Sequence, residues 1–257
     1  MWHAKRGGVT SGTKHDTDDL PLASARIGGI PPKDKNRMSL APIEIETGPH
    51  PTASVILMHG LGADGNDFVP ICNELDLGSI GPVRFVFPNA PVMPVTVNGG
   101  HMMPAWYDIF GANLVHREDE AGLRRSMATI EGVIANEKAR GIPARRIVIA
   151  GFSQGCAMAL MTGLRHGERL AGIAALSGYL PLAASTVSER SEANRNVPIY
   201  QAHGERDGVI PVVRAIASRD ALTALGYAVD WHAYGMEHSV CMEEIDDLGK
   251  WLQTVLA

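Results

Sequence analysis

The chain has 257 residues, 45% of them hydrophobic and 20% charged, an ordinary globular balance that can fill one sizeable core. A formal net charge of −5 and an aromatic content of 5% provide neither the basic footprint nor the stacking surface of a nucleic-acid binder, so no nucleic-acid partner is expected. The three cysteines, Cys72, Cys156 and Cys241, are widely spaced and lack metal-ligand spacing, so reduced thiols in a cytoplasmic protein are expected, with no metal site and no disulfide framework.

Residues 1–37 are polar, punctuated by Gly and Pro, and contain no apolar core of a secretory signal. They are expected to be a disordered leader or a cloning extension, a genuine tail being the alternative, with Met38 as the natural start. No apolar run approaches the roughly 20 residues needed to cross a bilayer, so stable membrane insertion is not expected. From about residue 43, short apolar runs alternate with helical patterns. The strand candidates are Ile43–Thr47, Ser54–His59, Val83–Pro88, Arg146–Gly151, Gly172–Ser177, Val197–His203 and Tyr227–Tyr234. Several are continuous β-branched or apolar runs, as in strands covered on both faces. Amphipathic stretches fall at about 66–76, 118–140, 153–166, 211–226 and 241–256. In the second, Leu123, Met127, Ile130 and Ile134 recur at helical spacing before Gly141 and Pro143 end the pattern. This alternation predicts a single α/β domain over 38–257, a mostly parallel, doubly wound sheet with helices on both faces. Residues 88–108 break the rhythm with four prolines and the Gly99–Gly100 pair, predicting an irregular excursion with a short hairpin around Val95–Val97.

The segment RIVIAGFSQGCAMALMT runs an apolar strand into Gly151-Phe152-Ser153-Gln154-Gly155 and then into a helix. Strand, sharp turn and helix are the context a G-x-S-x-G nucleophile elbow requires. The turn raises a strained serine above the sheet, glycines on either side let strand and helix approach, and the helix amino terminus faces developing negative charge. A nucleophilic Ser153 needs a base, and the base needs an acid to fix its tautomer. In the chain order Ser, acid, His, the turn His203-Gly204-Glu205-Arg206-Asp207 offers Asp207, with Glu205 as its competitor, and Gly235-Met236-Glu237-His238 offers His238. His203 and His59 are each followed by Gly and suit turn architecture, and His232 alternates within a strand. An oxyanion hole would take one amide from Gln154 and one from the loop His59-Gly60-Leu61-Gly62, with Leu61 the donor. That loop lacks the GKS/T and G-x-G-x-x-G patterns of nucleotide binding.

The stretches ILMHGLGADGNDF, RFVFPNAPVMPVTVNGGHMMPAWYDI, AGFSQGCAMAL, HGERDGVIPV and YGMEHSVCMEEI together resemble the phospholipase/carboxylesterase family of α/β hydrolases, from about residue 40 to the carboxyl terminus. That family includes acyl-protein thioesterases and short-chain bacterial carboxylesterases, and GADGNDF and PVTVNGG bring the bacterial carboxylesterase branch nearest. The resemblance implies an α/β-hydrolase fold, a triad of Ser153, Asp207 and His238, and oxyanion amides from Leu61 and Gln154. It also implies that the excursion folds over the site and brings Trp106 near an acyl pocket, with Val209 and Ile210 at the pocket wall. The implied activity is a cofactor-independent carboxylesterase that cleaves short- to medium-chain acyl esters of small molecules through an acyl-enzyme. An acyl-protein thioesterase or lysophospholipase with the same triad is the alternative, and a non-catalytic binding protein is the alternative from another class. A homodimer is left open. Cys156 stands where the family usually has Gly.

Overall fold

The structure, a computed structural model, describes residues 41–111 and 118–257; the expected leader and Met38 lie outside the described residues. Strands with apolar side chains on both faces are stable only when both faces are covered. The central strands meet this condition: β2 (Ala53–Met58), β3 (Val83–Phe87), β7 (Gly172–Leu176) and β8 (Ile199–Gly204) are buried at every residue, and β6 (Ile147–Phe152) at all but its last. With β1 (Ile43–Glu46) and β9 (Val229–Tyr234) at the edges they form one seven-stranded sheet in the order β1-β3-β2-β6-β7-β8-β9. Only β1 runs antiparallel in it.

The helices divide between the faces. From α2 (Glu120–Ala139), α3 (Gln154–Gly163) and α5 (Val212–Ala224), residues such as Leu123, Ile130, Ile134, Met158, Leu160 and Leu222 join one core. From α1 (Ile71–Glu74) and α6 (Met242–Val255), Ile71, Ile245, Leu248 and Trp251 join the other. The chain winds outward from β2 to β3 and returns to β6, so the direction of winding reverses between β2 and β6. In an open parallel sheet a crevice forms at the carboxyl ends of the strands flanking that reversal.

The structure departs from the expected elements in two places. The helix expected over 66–76 is a 3₁₀ turn, Gly65–Phe68, followed by the four-residue α1. Pro70 has no N–H to donate and crowds the carbonyl four residues before it, which stops a continuous helix. Asp64 caps the first turn through the Asn66 amide instead. A short helix, α4 (Ala183–Glu189), has no counterpart in the sequence reading, because only Thr186 of its seven residues is buried. The hairpin exists as β4 (Val92–Val95) against β5 (His101–Pro104), its turn completed by Gly99 and Gly100 at φ 66° and 78°.

One charged group enters the buried edge. Arg84, on β3 opposite Glu46, donates to Glu46 at 2.9 Å and to Glu137 of α2 at 3.0 Å, and Arg140 donates to Glu137 at 3.1 Å. The side chains of Arg84 and Glu137 are only 8% and 2% exposed, so each depends on the other for the loss of water. Glu137→Ala leaves Arg84 with the half-exposed Glu46 alone, and urea titration is expected to show a stability loss of about 3 kcal/mol. The double change Arg84→Met/Glu137→Leu is expected to lose far less, and equal losses would mean the pair is not the source.

Candidate active site

The turn between β6 and α3 is held by contact on every side. Ser153 has φ 57° and ψ −116°, a backbone conformation few residues other than glycine adopt. A Cβ on Gly151 would stand 2.1 Å from the Gly155 carbonyl oxygen, and one on Gly155 would stand 2.1 Å from that of Met58. Glycine at both positions is therefore a packing requirement, and it lets the start of α3 lie against the end of β2. The Ser153 amide donates to Leu176 of β7 at 3.0 Å, which fixes the turn to the neighbouring strand.

Ser153 Oγ lies 2.9 Å from His238 Nε2, and His238 Nδ1 lies 2.7 Å from Asp207 Oδ2. Asp207 hangs in the turn after β8, its carboxylate fully buried, with Oδ1 accepting from the amides of Val209 and Ile210 at 2.8 Å each. With Asp207 ionised, Nδ1 of His238 carries the proton and Nε2 faces the serine as an acceptor. The Phe152 ring stands 4.8 Å from the His238 ring and helps orient it. Glu205, the competing acid, points into solvent with its backbone amide bonded to Tyr234. Both acids were legible in the turn, but only Asp207 reaches His238.

The loop after β2 closes over the serine. A Cβ on Gly60 would stand 3.2 Å from Ser153 Cβ. His59 donates from Nδ1 to the Gly60 carbonyl at 2.7 Å and accepts the Ala90 amide at Nε2, and the Gly62 amide donates to Pro104 at 2.9 Å. Burial holds the His59 pKa below the usual imidazole range, in keeping with this neutral tautomer. Among the described residues, the amides of Leu61 and Gln154 meet no protein acceptor. Leu61 follows Gly60 and Gln154 follows Ser153 in the chain, so both amides belong to the two segments that meet at the serine.

Trp106 is buried against the loop after β2. Its side chain is 1% exposed, its indole N–H donates to the His59 carbonyl at 2.9 Å, and its ring lies 5.2 Å from that of His59. A buried indole N–H needs an acceptor, and the nearest is the loop that carries Leu61. The Gln154 side chain, which sequence reasoning left out, spans the same segment, accepting from the Trp106 amide at 3.0 Å and donating to the Tyr107 carbonyl at 2.9 Å. Ser126 of α2 donates to the Trp106 carbonyl. Val209 is 66% exposed beside the acid, whereas Ile210 is buried and serves the Asp207 turn through its backbone. His232, in β9, donates to Asp230 and stacks on Tyr200, away from the serine.

Two further ionisable groups sit close to this machinery. Cys156, at the third position of α3, is 1% exposed and packs against Gly178, where a Cβ would come within 2.5 Å of its sulfur. Burial pushes its thiol far above the usual range. Glu244, in the first turn of α6, is fully buried with neither carboxylate oxygen paired to a side chain, and desolvation pushes its pKa up to about 8, partly offset by the Cys241 amide. Among the described residues no group of three or more His, Cys, Asp or Glu could hold a metal ion.

Comparison with known proteins adds to this geometry. A family model described as Phospholipase/Carboxylesterase matches residues 41–256. Acyl-protein thioesterase 1 of Yarrowia lipolytica is 42% identical over 207 residues, covering 79% of this chain and 91% of that protein. Among solved structures, Arabidopsis thaliana SOBER1 superposes with a TM-score of 0.76 at 28% identity, covering 80% of this chain and 99% of that one. Zea mays acyl-protein thioesterase 2 superposes with a TM-score of 0.73 at 27% identity, covering 84% and 99%. The architecture is the α/β-hydrolase fold.

The buried groups have measurable consequences. Iodoacetamide at neutral pH is expected to leave Cys156 unmodified in the folded protein, read by peptide mass spectrometry; alkylation of Cys156 at the rate of a free thiol would contradict its packing. Glu244 binds its proton more tightly folded than unfolded, so its contribution to stability declines as pH rises from the usual 4.5 to about 8, then levels off. Glu244→Gln is expected to flatten that decline in melting temperature, and an unchanged slope would show that Glu244 is not its source.

Proposed function

Because this chain belongs to the phospholipase/carboxylesterase family, we propose that it hydrolyses acyl thioesters, and oxygen esters more slowly, through an acyl-enzyme on Ser153. The observation that carries the reading is the unbroken line Ser153–His238–Asp207 at 2.9 and 2.7 Å, with the amides of Leu61 and Gln154 unpaired among the described residues. His238 takes the proton of Ser153 as Oγ attacks the acyl carbonyl. The carbonyl oxygen becomes an oxyanion that the amides of Leu61 and Gln154 stabilise. Collapse of the tetrahedral adduct expels the thiol or alcohol, which leaves with the proton from His238. Water, deprotonated by His238, then hydrolyses the acyl-serine and restores the resting enzyme. No cofactor has a part in these steps.

The choice of thioester over oxygen ester rests on the thioesterase names of the relatives, which favour the alternative over the short- to medium-chain carboxylesterase reading. The proposed substrates are acylated small molecules or acylated protein cysteines. Residues 38–257 are proposed as the catalytic domain, since the family match begins at 41. The three cysteines are free, which supports a reducing compartment such as the cytoplasm.

Ser153→Ala and His238→Ala are expected to lower kcat by about 10⁶-fold and Asp207→Asn by about 10⁴-fold, while circular dichroism shows the fold retained. Matched thiol and oxygen esters of increasing acyl length discriminate the readings. Higher kcat/KM for thiol esters supports the proposal, higher kcat/KM for short oxygen esters supports the carboxylesterase, and no turnover of either would indicate a binding protein.

A further inference from the structure

A second imidazole reaches the carboxylate that holds His238. His203 lies near the end of β8, four residues before Asp207, with its side chain fully buried, as is that of Asp207. Its Nε2 is 2.8 Å from the Ile210 carbonyl oxygen, which can only accept, so Nε2 carries the hydrogen. The same nitrogen is 3.3 Å from Asp207 Oδ2, the oxygen that also accepts from His238. Its Nδ1 has no partner among the described residues, so the ring's polar contacts all lie at the edge facing the acid turn.

We propose that His203 is a positioning residue whose Nε2–H sets the charge presented by Asp207 and, through it, the basicity of His238. The proposal rests on the triad reading above. The Asp207 carboxylate divides two jobs between its oxygens: Oδ1 is committed to the Val209 and Ile210 amides, and Oδ2 faces His238. A neutral N–H near Oδ2 draws negative charge from that oxygen without adding a full positive charge, which would compete with the imidazolium formed during catalysis. Burial supports the neutral form by holding the His203 pKa below the usual range. The bond to Ile210 also closes the turn that delivers the two amides to Oδ1, and it holds the ring with Nε2 beside Oδ2.

The other ionisable groups around this cluster are few. On the acid's own turn are Arg206, whose guanidinium bonds the Gly235 carbonyl, and the exposed Glu205. On the loop before α6 are His238 itself and the exposed Glu237, and on the elbow is Ser153. None of these stands in for the His203 N–H at Oδ2.

The test uses His203→Leu, which removes the donor at similar volume, and His203→Gln, which restores an N–H. Two readouts are taken: the acidic limb of kcat/KM against pH, and the His238 pKa from ring ¹H–¹⁵N NMR in the resting protein. Without the donor the carboxylate is more basic and the imidazolium better stabilised, so both values are expected to rise by about 0.5–1 unit in His203→Leu. KM is expected to stay within about twofold, since substrate contacts are untouched, and His203→Gln is expected to recover most of the pKa shift. A lowered melting temperature with both pKa readouts unmoved would show a packing role only and overturn the proposal. If His203→Leu does not fold, wild-type ¹⁵N shifts decide: His203 must stay neutral with its hydrogen on Nε2 from about pH 5 to pH 9. A ring that protonates together with His238 overturns it. Retention of turnover in Ser153→Ala would sink the triad reading, whereas the NMR titration reports on the coupling regardless.

Discussion

A serine held at φ 57° at the tip of a strand is the constraint around which the rest of this structure is arranged. A backbone in that region costs about 1–3 kcal/mol and persists only where its surroundings determine it. Here they do so by contact: Gly151 and Gly155 admit the carbonyls that any side chain would strike, and Leu176 takes the serine's amide. The helix that follows is buried along its whole length, so the turn cannot relax without withdrawing α3 from the sheet. The strain thereby aims Oγ at His238 instead of into the core.

The same economy governs the polar groups beneath and above the serine. A buried donor or acceptor without a partner is costly, and the loops around Ser153 satisfy theirs by bonding to each other. Gln154 ties the excursion to the elbow, Trp106 ties it to the β2 loop, and His59 ties that loop to Ala90. Three segments far apart in the chain are thus joined beside the serine, and among the described residues the amides of Leu61 and Gln154 meet no acceptor. Their meeting place is the reversal of winding between β2 and β6, where a parallel sheet opens a crevice.

The parts of this arrangement visible in the sequence were those written in local pattern. Continuous apolar runs announced the buried strands, and the glycines around Ser153, with strand before and helix after, announced the elbow. The order of Asp207 and His238 behind it followed from where their strands end. What depended on distance was not legible. Pro70 could be seen, but its power to break the stretch over 66–76 competes with the pull of apolar periodicity. Helix α4 buries too little to leave a pattern. The resemblance brought Trp106 near the site, but the bond from its indole N–H to the His59 carbonyl joins residues 47 apart and leaves no local pattern. Gln154 drew attention for its amide alone, and His203 passed for turn architecture, since its nearness to Asp207 Oδ2 exists only once the turn is folded. The leaving atom, sulfur or oxygen, departs from the site and leaves no residue pattern.

A crystal structure of the fluorophosphonate adduct tests most directly whether Ser153 is the nucleophile beside the two amides. A single phosphonyl group is expected on Ser153 Oγ, with its phosphoryl oxygen at about 2.7–3.1 Å from the amides of both Leu61 and Gln154. An adduct on another residue, or a phosphoryl oxygen turned away from both amides, would contradict it.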